Sequence, residues 1–125
     1  MNLAQQQIKF IEDNEKLILA SADKGGGKPR AIIVIPSLVE SDSIVISNMQ
    51  MQITSENIRA NPNVFLASYD KDFRKYMKIS GTAQMFSDGE LFNRVKALEA
   101  TRCDLIPREI IVVHLNDIFE GEEGD

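Results

Sequence analysis

The chain has little of what forms disulfides or binds metal ions. Its 125 residues include one cysteine, Cys103, one histidine, His114, and no tryptophan. A single cysteine excludes an intrachain disulfide, and one cysteine with one histidine is too few for a zinc cluster. We predict no metal site and no catalytic role for either residue. The low cysteine content favours a cytoplasmic protein.

Long apolar runs and a net positive charge are also missing. No segment approaches the ~20 consecutive apolar residues of a membrane span, and residues 1–16 lack the basic start and apolar core of a signal peptide. The formal net charge is −5, from 19 acidic and 14 basic residues, which disfavours a nucleic-acid or anionic-membrane binder. Residues 120–125 are acidic and rich in glycine, so we expect a solvated, frayed tail.

The distribution of apolar residues predicts a mainly β protein. Six segments have the composition or alternation of strands, namely residues 17–22, 30–39, 44–47, 64–69, 76–84 and 109–115. Residues 3–13, residues 54–60 and a segment starting at a Ser87–Glu90 capping box are predicted helices. Most connections are too short for parallel crossovers, so we predict an antiparallel, closed or half-closed barrel. Its first three strands should form a meander, the second covered on both faces and perturbed at Pro36.

The segment Gly-Gly-Gly-Lys at residues 25–28 does not have the spacing of a nucleotide-binding loop. A Walker loop requires Ser or Thr after its Gly-Lys pair and then a helix, whereas Pro29 follows Lys28 and a strand comes next. We interpret the segment as a hairpin turn whose glycines can adopt positive φ.

Residues 44–69 read as a strand, a polar turn, a short helix and a second strand. Thr54 or Ser55 can cap this helix, and Asn61 and Pro62 prevent its continuation. Its first turn would present unpaired N–H groups, the positive end of the helix dipole and two hydroxyls. Such groups suit an anion, so we predict a phosphate site here.

The same stretch carries the spacing M-x-x-T-x-x-N-I, followed by Asn-Pro and a strand. The residues of this pattern are Met51, Thr54, Asn57, Ile58, Asn61 and Pro62. Together with a Gly-Lys-Pro hairpin at residues 27–29 and a K-x-x-G-x-A strand at residues 78–83, the pattern resembles the FMN-binding split-barrel family related to pyridoxamine 5′-phosphate oxidase. The resemblance extends over about residues 17–115 and is closest to the small stand-alone FMN-binding proteins.

The resemblance implies a single domain, residues 1–125, folded as a six-stranded antiparallel Greek-key split barrel with three flanking helices. It also implies a homodimer with flavin mononucleotide (FMN) at the subunit boundary. The residues then expected at the cofactor are Arg30, Ile32, Val34, Ser47, Asn48, Met49, Met51, Gln52, Ile53, Thr54 and Ser55. Core filling is the alternative role of the two methionines, because thioethers also fill irregular gaps.

One residue departs from the family pattern. Many FMN-binding relatives carry Lys or Arg immediately before the threonine, where this chain has Ile53. The phosphate then needs another cation, since charge-assisted contacts are about twice as strong as neutral ones. The candidates are Arg30, Arg59, Arg74 and Lys78, with Lys78 as first choice. We expect an FMN-binding oxidoreductase or electron-transfer protein; the alternative is a non-catalytic homodimeric module whose site is empty or holds another ligand.

Overall fold

Seven strands and three α-helices are present in the computed structural model, which describes residues 1–122. The strands are β1 (Leu17–Ala22), β2 (Pro29–Val34), β3 (Leu38–Val39), β4 (Ser43–Asn48), β5 (Asn63–Tyr69), β6 (Lys75–Phe86) and β7 (Glu109–Glu122). The helices are α1 (Gln5–Asn14), α2 (Ile53–Ala60) and α3 (Glu90–Ala100). None of the helices in this part of the chain has both the length and the apolar character needed to cross a bilayer.

The strands form one antiparallel sheet with the spatial order β2-β1-β5-β6-β7-β4-β3. The two end strands, β2 and β3, are neighbours in the sequence and are joined only by residues 35–37. Because an extended chain advances at most about 3.6 Å per residue, Val34 and Leu38 lie within roughly 14 Å of each other. The sheet must therefore curl until its ends almost meet, which confirms the predicted half-closed antiparallel barrel.

Pro36 divides the strand predicted for residues 30–39 into two. β2 ends at Val34, and the chain then crosses to the other end of the sheet, where the Ser37 N–H donates to the Val45 carbonyl at 2.7 Å. A proline has no N–H to offer a neighbouring strand, so pairing stops at this point. The described residues therefore form seven strands, and the predicted number of six was wrong.

The predicted meander of the first three strands is interrupted at the same point: both of its pairings are present, but the two halves of its second strand, β2 and β3, lie at opposite ends of the sheet. β2 pairs with β1, whereas β4 pairs with β3 and β7 at the opposite end of the sheet. As an edge strand, β2 is not covered on both faces: Ile33 is 69% exposed, and Ile35 just beyond the strand is 60% exposed. A continuous apolar run fits an exposed apolar edge as well as a doubly covered strand, and the sequence does not distinguish them.

Apolar residues pack on both faces of the sheet. Inside the barrel, Met77, Ile79 and Ala83 belong to the main core, as the alternation in residues 76–84 predicts. Ile11 of α1 joins this core, which confirms the predicted docking of the first helix. A separate cluster on the outer face forms where Val95 of α3 packs with residues of β4 and β7. One part of the outer face is thus covered by α3.

Two predicted details of the element ends were wrong. The residue before α3 is Gly89, with a φ of +98°, and α3 has no side-chain cap, so Ser87 and Glu90 do not form a capping box. Glycine adopts this φ without the steric cost that other residues incur. Residues 120–122 continue β7 and pair with β6 instead of fraying. Residues 123–125, the rest of the predicted acidic tail, lie outside the described residues.

The turn between β5 and β6 is held by Asp70. Its carboxylate accepts hydrogen bonds from the backbone N–H groups of Arg74 at 2.8 Å and Lys75 at 3.3 Å. These bonds, the one from Arg74 above all, hold the pKa of Asp70 below its ordinary value. Phe73 in the same turn has a φ of +58° and is 77% exposed. Because bulky residues rarely adopt this φ, the turn presents Phe73 to solvent in a strained conformation.

Ser68→Ala tests the packing of the inner core. The Ser68 hydroxyl is fully buried and has no hydrogen-bond partner within residues 1–122. Since a buried unpaired polar group costs about 1–3 kcal/mol, its removal should leave the free energy of unfolding unchanged or raise it by up to about 1 kcal/mol, measured by urea unfolding. Ser37→Ala is the control, because the buried Ser37 hydroxyl is bonded to Ser47 at 2.6 Å and its loss should lower stability. A clear loss of stability in Ser68→Ala would contradict this account of the core.

Candidate functional site

An apolar groove opens at the seam of the barrel, where β2 and β4 lie on either side without pairing. Its volume is about 580 Å³. We call it the β2–β4 groove; its lining residues are Ile32, Ile33, Val34, Ile35, Ser37, Ile46, Ser47, Met49, Gln50, Met51, Glu99, Arg102 and Cys103. A concave, mainly apolar space of this size is typical of small-molecule and cofactor sites.

Four of the polar side chains of the β2–β4 groove form two pairs. The hydroxyls of Ser37 and Ser47 are 2.6 Å apart. At the end of α3, Glu99 is only 8% exposed, and Arg102 Nη1 lies 3.4 Å from its carboxylate. The groove therefore combines apolar walls with one hydroxyl pair and one charged pair.

A second, polar cavity lies beside the first turn of α2. It has a volume of about 470 Å³, and we call it the α2 cavity; its lining residues are Met51, Gln52, Ser55, Glu56, Arg59, Arg108 and Glu109. Arg59 Nη2 donates to both carboxylate oxygens of Glu109, at 2.5 and 2.7 Å. Arg108 Nη2 donates to the Met51 carbonyl at 2.5 Å. Met51 lines both spaces, so the groove and the cavity adjoin.

Asn48 holds the loop that separates the two spaces. Its side-chain N–H donates to Glu109 Oε2 at 2.6 Å, and its side-chain oxygen accepts from the Met51 N–H at 2.7 Å. Its backbone carbonyl accepts from the Arg108 N–H at 2.9 Å. Because Asn48 is 1% exposed, these bonds are shielded from water. They fix residues 48–51 against the start of β7.

The start of α2 differs from the prediction. Gln52 occupies the cap position without a side-chain hydrogen bond, and the helix begins at Ile53. Thr54 and Ser55 lie inside the first turn with buried side chains, and the Ser55 hydroxyl donates back to the Gln52 carbonyl at 2.8 Å. The prediction that Thr54 or Ser55 caps α2 was therefore wrong, because the fold buries both side chains.

The structure brings together most of the residues predicted to contact a cofactor. Those that line the β2–β4 groove are Ile32, Val34, Ser47, Met49 and Met51. Those that line the α2 cavity are Met51, Gln52 and Ser55. Met51 also packs against the inner core, so its two predicted roles are compatible. Asn48 and Thr54 are buried and line neither space, and a cofactor contact for either one stays a prediction.

Three other predicted residues also lie away from both spaces. Arg30 is exposed on β2, and Ile53 is exposed on the first turn of α2. Lys78 lies on the outer face of β6, where its Nζ is 4.6 Å from the centre of the Tyr76 ring. Contacts between these residues and a cofactor also stay predictions.

Arg108 is a residue of the α2 cavity that the sequence interpretation missed. It was not among the four predicted candidates for the phosphate cation, and it is far from α2 in the sequence. The pairing of β4 with β7 sets Asn48 opposite Glu109 and so brings Arg108 beside the loop after β4. In the sequence, Arg108 is marked only by its position directly before the predicted strand 109–115. That position does not reveal which strand it pairs with, and so not that it lies near α2.

The fold and the site together define a class: a split barrel with an apolar groove at its open seam and a polar cavity next to it. Residues 3–120 match the family model described as pyridoxamine 5′-phosphate oxidase. The chain therefore belongs to the pyridoxamine 5′-phosphate oxidase family, which confirms the resemblance seen in the sequence. A comparison with curated proteins finds no match.

Solved structures of similar fold include proteins with different ligands in their names. HupZ from Group A Streptococcus has a TM-score of 0.85 at 20% identity, covering 98% of this chain and 100% of its own. An FMN-binding protein from Syntrophomonas wolfei has a TM-score of 0.76 at 12% identity, covering 90% and 81%. HutZ, the haem storage protein from Vibrio cholerae, has a TM-score of 0.73 at 17% identity, covering 98% and 96%. At these identities the similarity shows the shared fold and not a shared ligand.

Asn48→Ala tests the network that holds the loop. The change removes one of the two hydrogen bonds to Glu109 Oε2, which keeps Arg59, and leaves the Met51 N–H without its partner, so the free energy of unfolding should fall by about 1–3 kcal/mol. Hydrogen exchange at the Met51 N–H should become faster. Asn57→Ala is the control, because the contact of Asn57 with Ser21 is 3.5 Å long and contributes little. Equal losses of stability in the two variants would show that the network does not have this role.

Proposed function

We propose that this protein binds FMN, with the flavin ring in the β2–β4 groove and the phosphate in the α2 cavity, and acts as an oxidoreductase or electron-transfer protein. The observation that carries the proposal is that Met51 lines both spaces. An apolar space thus adjoins a polar one, and FMN consists of a flat ring system and a phosphate tail. Membership of a family with FMN-binding relatives supports this assignment.

The residues of the groove fit a flat ring. Ile32 and Val34 on the β2 side and Met49 and Met51 on the loop side offer aliphatic and thioether surfaces. Burial of apolar ligand surface contributes about 25 cal/mol per Å². The polarizable sulfur atoms of methionine also make favourable contacts with aromatic rings. The groove therefore has the means to hold a flavin ring mainly by apolar contact.

Arg108 is the cation that we assign to the phosphate, in place of the basic residue absent at Ile53. Its guanidinium donates to the Met51 carbonyl and carries further N–H groups beside the α2 cavity. Arg59 lines the same cavity, but its charge is paired with Glu109. The first turn of α2 adds the positive end of the helix dipole. These groups compensate for the missing cation.

A bound flavin supplies hydride and electron transfer. The chain's own residues bind the ring, orient it and exclude water from one of its faces. The apolar side chains of Ile32, Val34 and Ile46 form the wall that excludes water. The hydroxyls of Ser37 and Ser47 are hydrogen-bonded to each other and so have fixed positions beside this wall. We assign no proton transfer to any residue of the groove.

Haem is the second candidate ligand, and one observation favours it. Met49, Met51 and Cys103, which are residue types that ligate haem iron, all line the β2–β4 groove. A haem storage protein is among the relatives of similar fold. FMN remains the first choice because the α2 cavity, with Arg108 at its edge, suits a phosphate that haem does not have.

Titration with FMN and riboflavin tests the proposal. FMN should bind with quenching of its fluorescence, and riboflavin, which lacks the phosphate, should bind less tightly. Arg108→Gln should weaken FMN binding about tenfold or more without changing riboflavin binding, because it removes a charge-assisted contact to the phosphate. Arg94→Gln is the control: Arg94 is an exposed residue of α3 paired with Glu40, and its loss should change neither affinity.

Two outcomes would count against the proposal. A protein that fails to quench FMN at tens of micromolar but shows a haem spectrum with haemin would favour the second candidate. Equal affinities for FMN and riboflavin in the unmodified protein would show that the α2 cavity does not bind the phosphate.

We also propose that the protein forms a homodimer through the outer face of its sheet. Cross-strand pairing places Ile33, Ile18, Ala67, Lys78 and Phe119 in one row across five strands, on the face opposite the inner core. Ile33 and Ile18 are exposed neighbours in this row, and Phe119 is exposed at its other end; exposed apolar surface of this kind marks interaction sites. Ile33 also lines the groove, so a partner seated on this row would border the ligand. Lys78 then belongs to the interface and not to the α2 cavity of its own chain.

Phe119→Asp tests the dimer. The full chain should sediment at twice the mass of one chain, and Phe119→Asp should sediment as a monomer, because the change buries an unpaired carboxylate in the interface. Ile106→Asp is the matched control: Ile106 is also exposed but lies in the loop before β7, outside the row. A monomeric wild-type protein, or a dimeric Phe119→Asp variant, would contradict the proposed interface.

A further inference from the structure

The β2–β4 groove contains one charged pair that the proposed function leaves without a role. Glu99 and Arg102 lie at the end of α3 and line the groove together. Glu99 is 8% exposed, so its carboxylate has lost most of its contact with water. A buried charge is costly unless it is well paired. The contact with Arg102 Nη1, at 3.4 Å, is longer than the ~2.7–2.9 Å of a good charge-assisted bond, so both groups retain capacity to bind a ligand.

This pair lies on the flank of the groove that faces away from the α2 cavity. The groove shares Met51 with the α2 cavity. It shares Ile35, Ser37 and Arg102 with another cavity, which lies between the end of α1, residues 35–39 and the end of α3. The two flanking cavities have no lining residue in common. A ligand whose phosphate occupies the α2 cavity therefore extends its ring toward Glu99 and Arg102.

We infer that Glu99 and Arg102 recognise an imide edge of the ligand's ring, in which an N–H lies between two carbonyl groups. The inference rests on the proposed function. In it, Glu99 and Arg102 give the FMN site its selectivity for the flavin ring. The Glu99 carboxylate accepts the hydrogen bond of the imide N–H, and the Arg102 guanidinium donates to a neighbouring carbonyl. A flavin has such an edge on its pyrimidine ring.

Within the pair, Glu99 is the group that disfavours haem, whereas Arg102 can pair with a propionate. Haem has no imide N–H for Glu99, and its propionates are anionic, so a carboxylate in the groove repels them. Specificity often depends on such a repulsive contact as much as on the attractive one. Glu99 is thus a specificity-determining residue, whereas the apolar walls of the groove accept either ring.

Binding of lumiflavin and 3-methyllumiflavin to the full chain tests the inference. Both have the flavin ring and lack the phosphate, but only lumiflavin has the imide N–H. The wild-type protein should bind lumiflavin about tenfold or more tightly than 3-methyllumiflavin, because a hydrogen bond to a charged group is lost with the methyl group. In Glu99→Leu the ratio of the two affinities should fall to about one, since no acceptor remains. A purely structural role of Glu99 would change both affinities and leave their ratio unaltered.

Two further variants complete the experiment. Glu90→Leu, at the opposite end of α3 and exposed, is the matched control and should keep the wild-type ratio. The side chain in Glu99→Gln has nearly the same shape as the native one, so this variant can be measured even if Glu99→Leu does not fold. Its ratio of lumiflavin to 3-methyllumiflavin affinity should lie between the wild-type ratio and one.

The outcomes separate this inference from the proposed function. Equal binding of the two lumiflavins to the wild type, or an unchanged ratio in both Glu99 variants, overturns the inference and leaves FMN binding in place. A protein that binds neither FMN nor lumiflavin overturns both.

Discussion

The link at residues 35–37 is the constraint on which the rest of the structure depends. It joins the two end strands of a seven-stranded sheet, so the sheet has to curl into a barrel. Pro36 in the middle of the link withholds a backbone N–H, and β2 and β4 are left on either side of the seam without hydrogen bonds between them. A fully paired barrel would have no such opening. The β2–β4 groove is therefore a direct product of this short, proline-containing connection.

The buried network around Asn48 keeps the edge of this groove in one arrangement. Asn48 connects the end of β4 to Glu109 at the start of β7, and Glu109 in turn holds Arg59 of α2. Asn48 and Glu109 are both buried, so the bond between them lies in a region of low water access, where hydrogen bonds are stronger and unpaired groups are costly. The apolar groove and the α2 cavity consequently share a rigid wall at Met51. This rigidity is what would allow one ligand to be bound at both of its ends.

The fold alone does not specify the ligand. Proteins of similar fold include one described as FMN-binding and one described as a haem storage protein, and a single fold commonly serves several functions. Selectivity has to come from the few polar groups that each chain places around its groove. We propose that these groups are Arg108 at the α2 cavity and Glu99 with Arg102 at the far flank.

The sequence by itself determined the features that depend on neighbouring residues. The alternation in residues 76–84 predicted the inward face of β6, the Asn61-Pro62 pair predicted the end of α2, and the spacing from Met51 to Ile58 predicted the family. Each of these signals operates over a few residues, through side-chain periodicity or backbone sterics.

Only the tertiary structure decided which distant segments meet. The split of the second predicted strand, the placement of β2 at an edge, the burial of Thr54 and the arrival of Arg108 beside α2 all follow from how the sheet pairs and curls. The groove itself depends on the β2–β4 seam, and its charged pair comes from the end of α3. Apolar strands are largely interchangeable as pairing partners, so spacing along the chain carries little information about these contacts; they arise only when the entire sheet closes around one core.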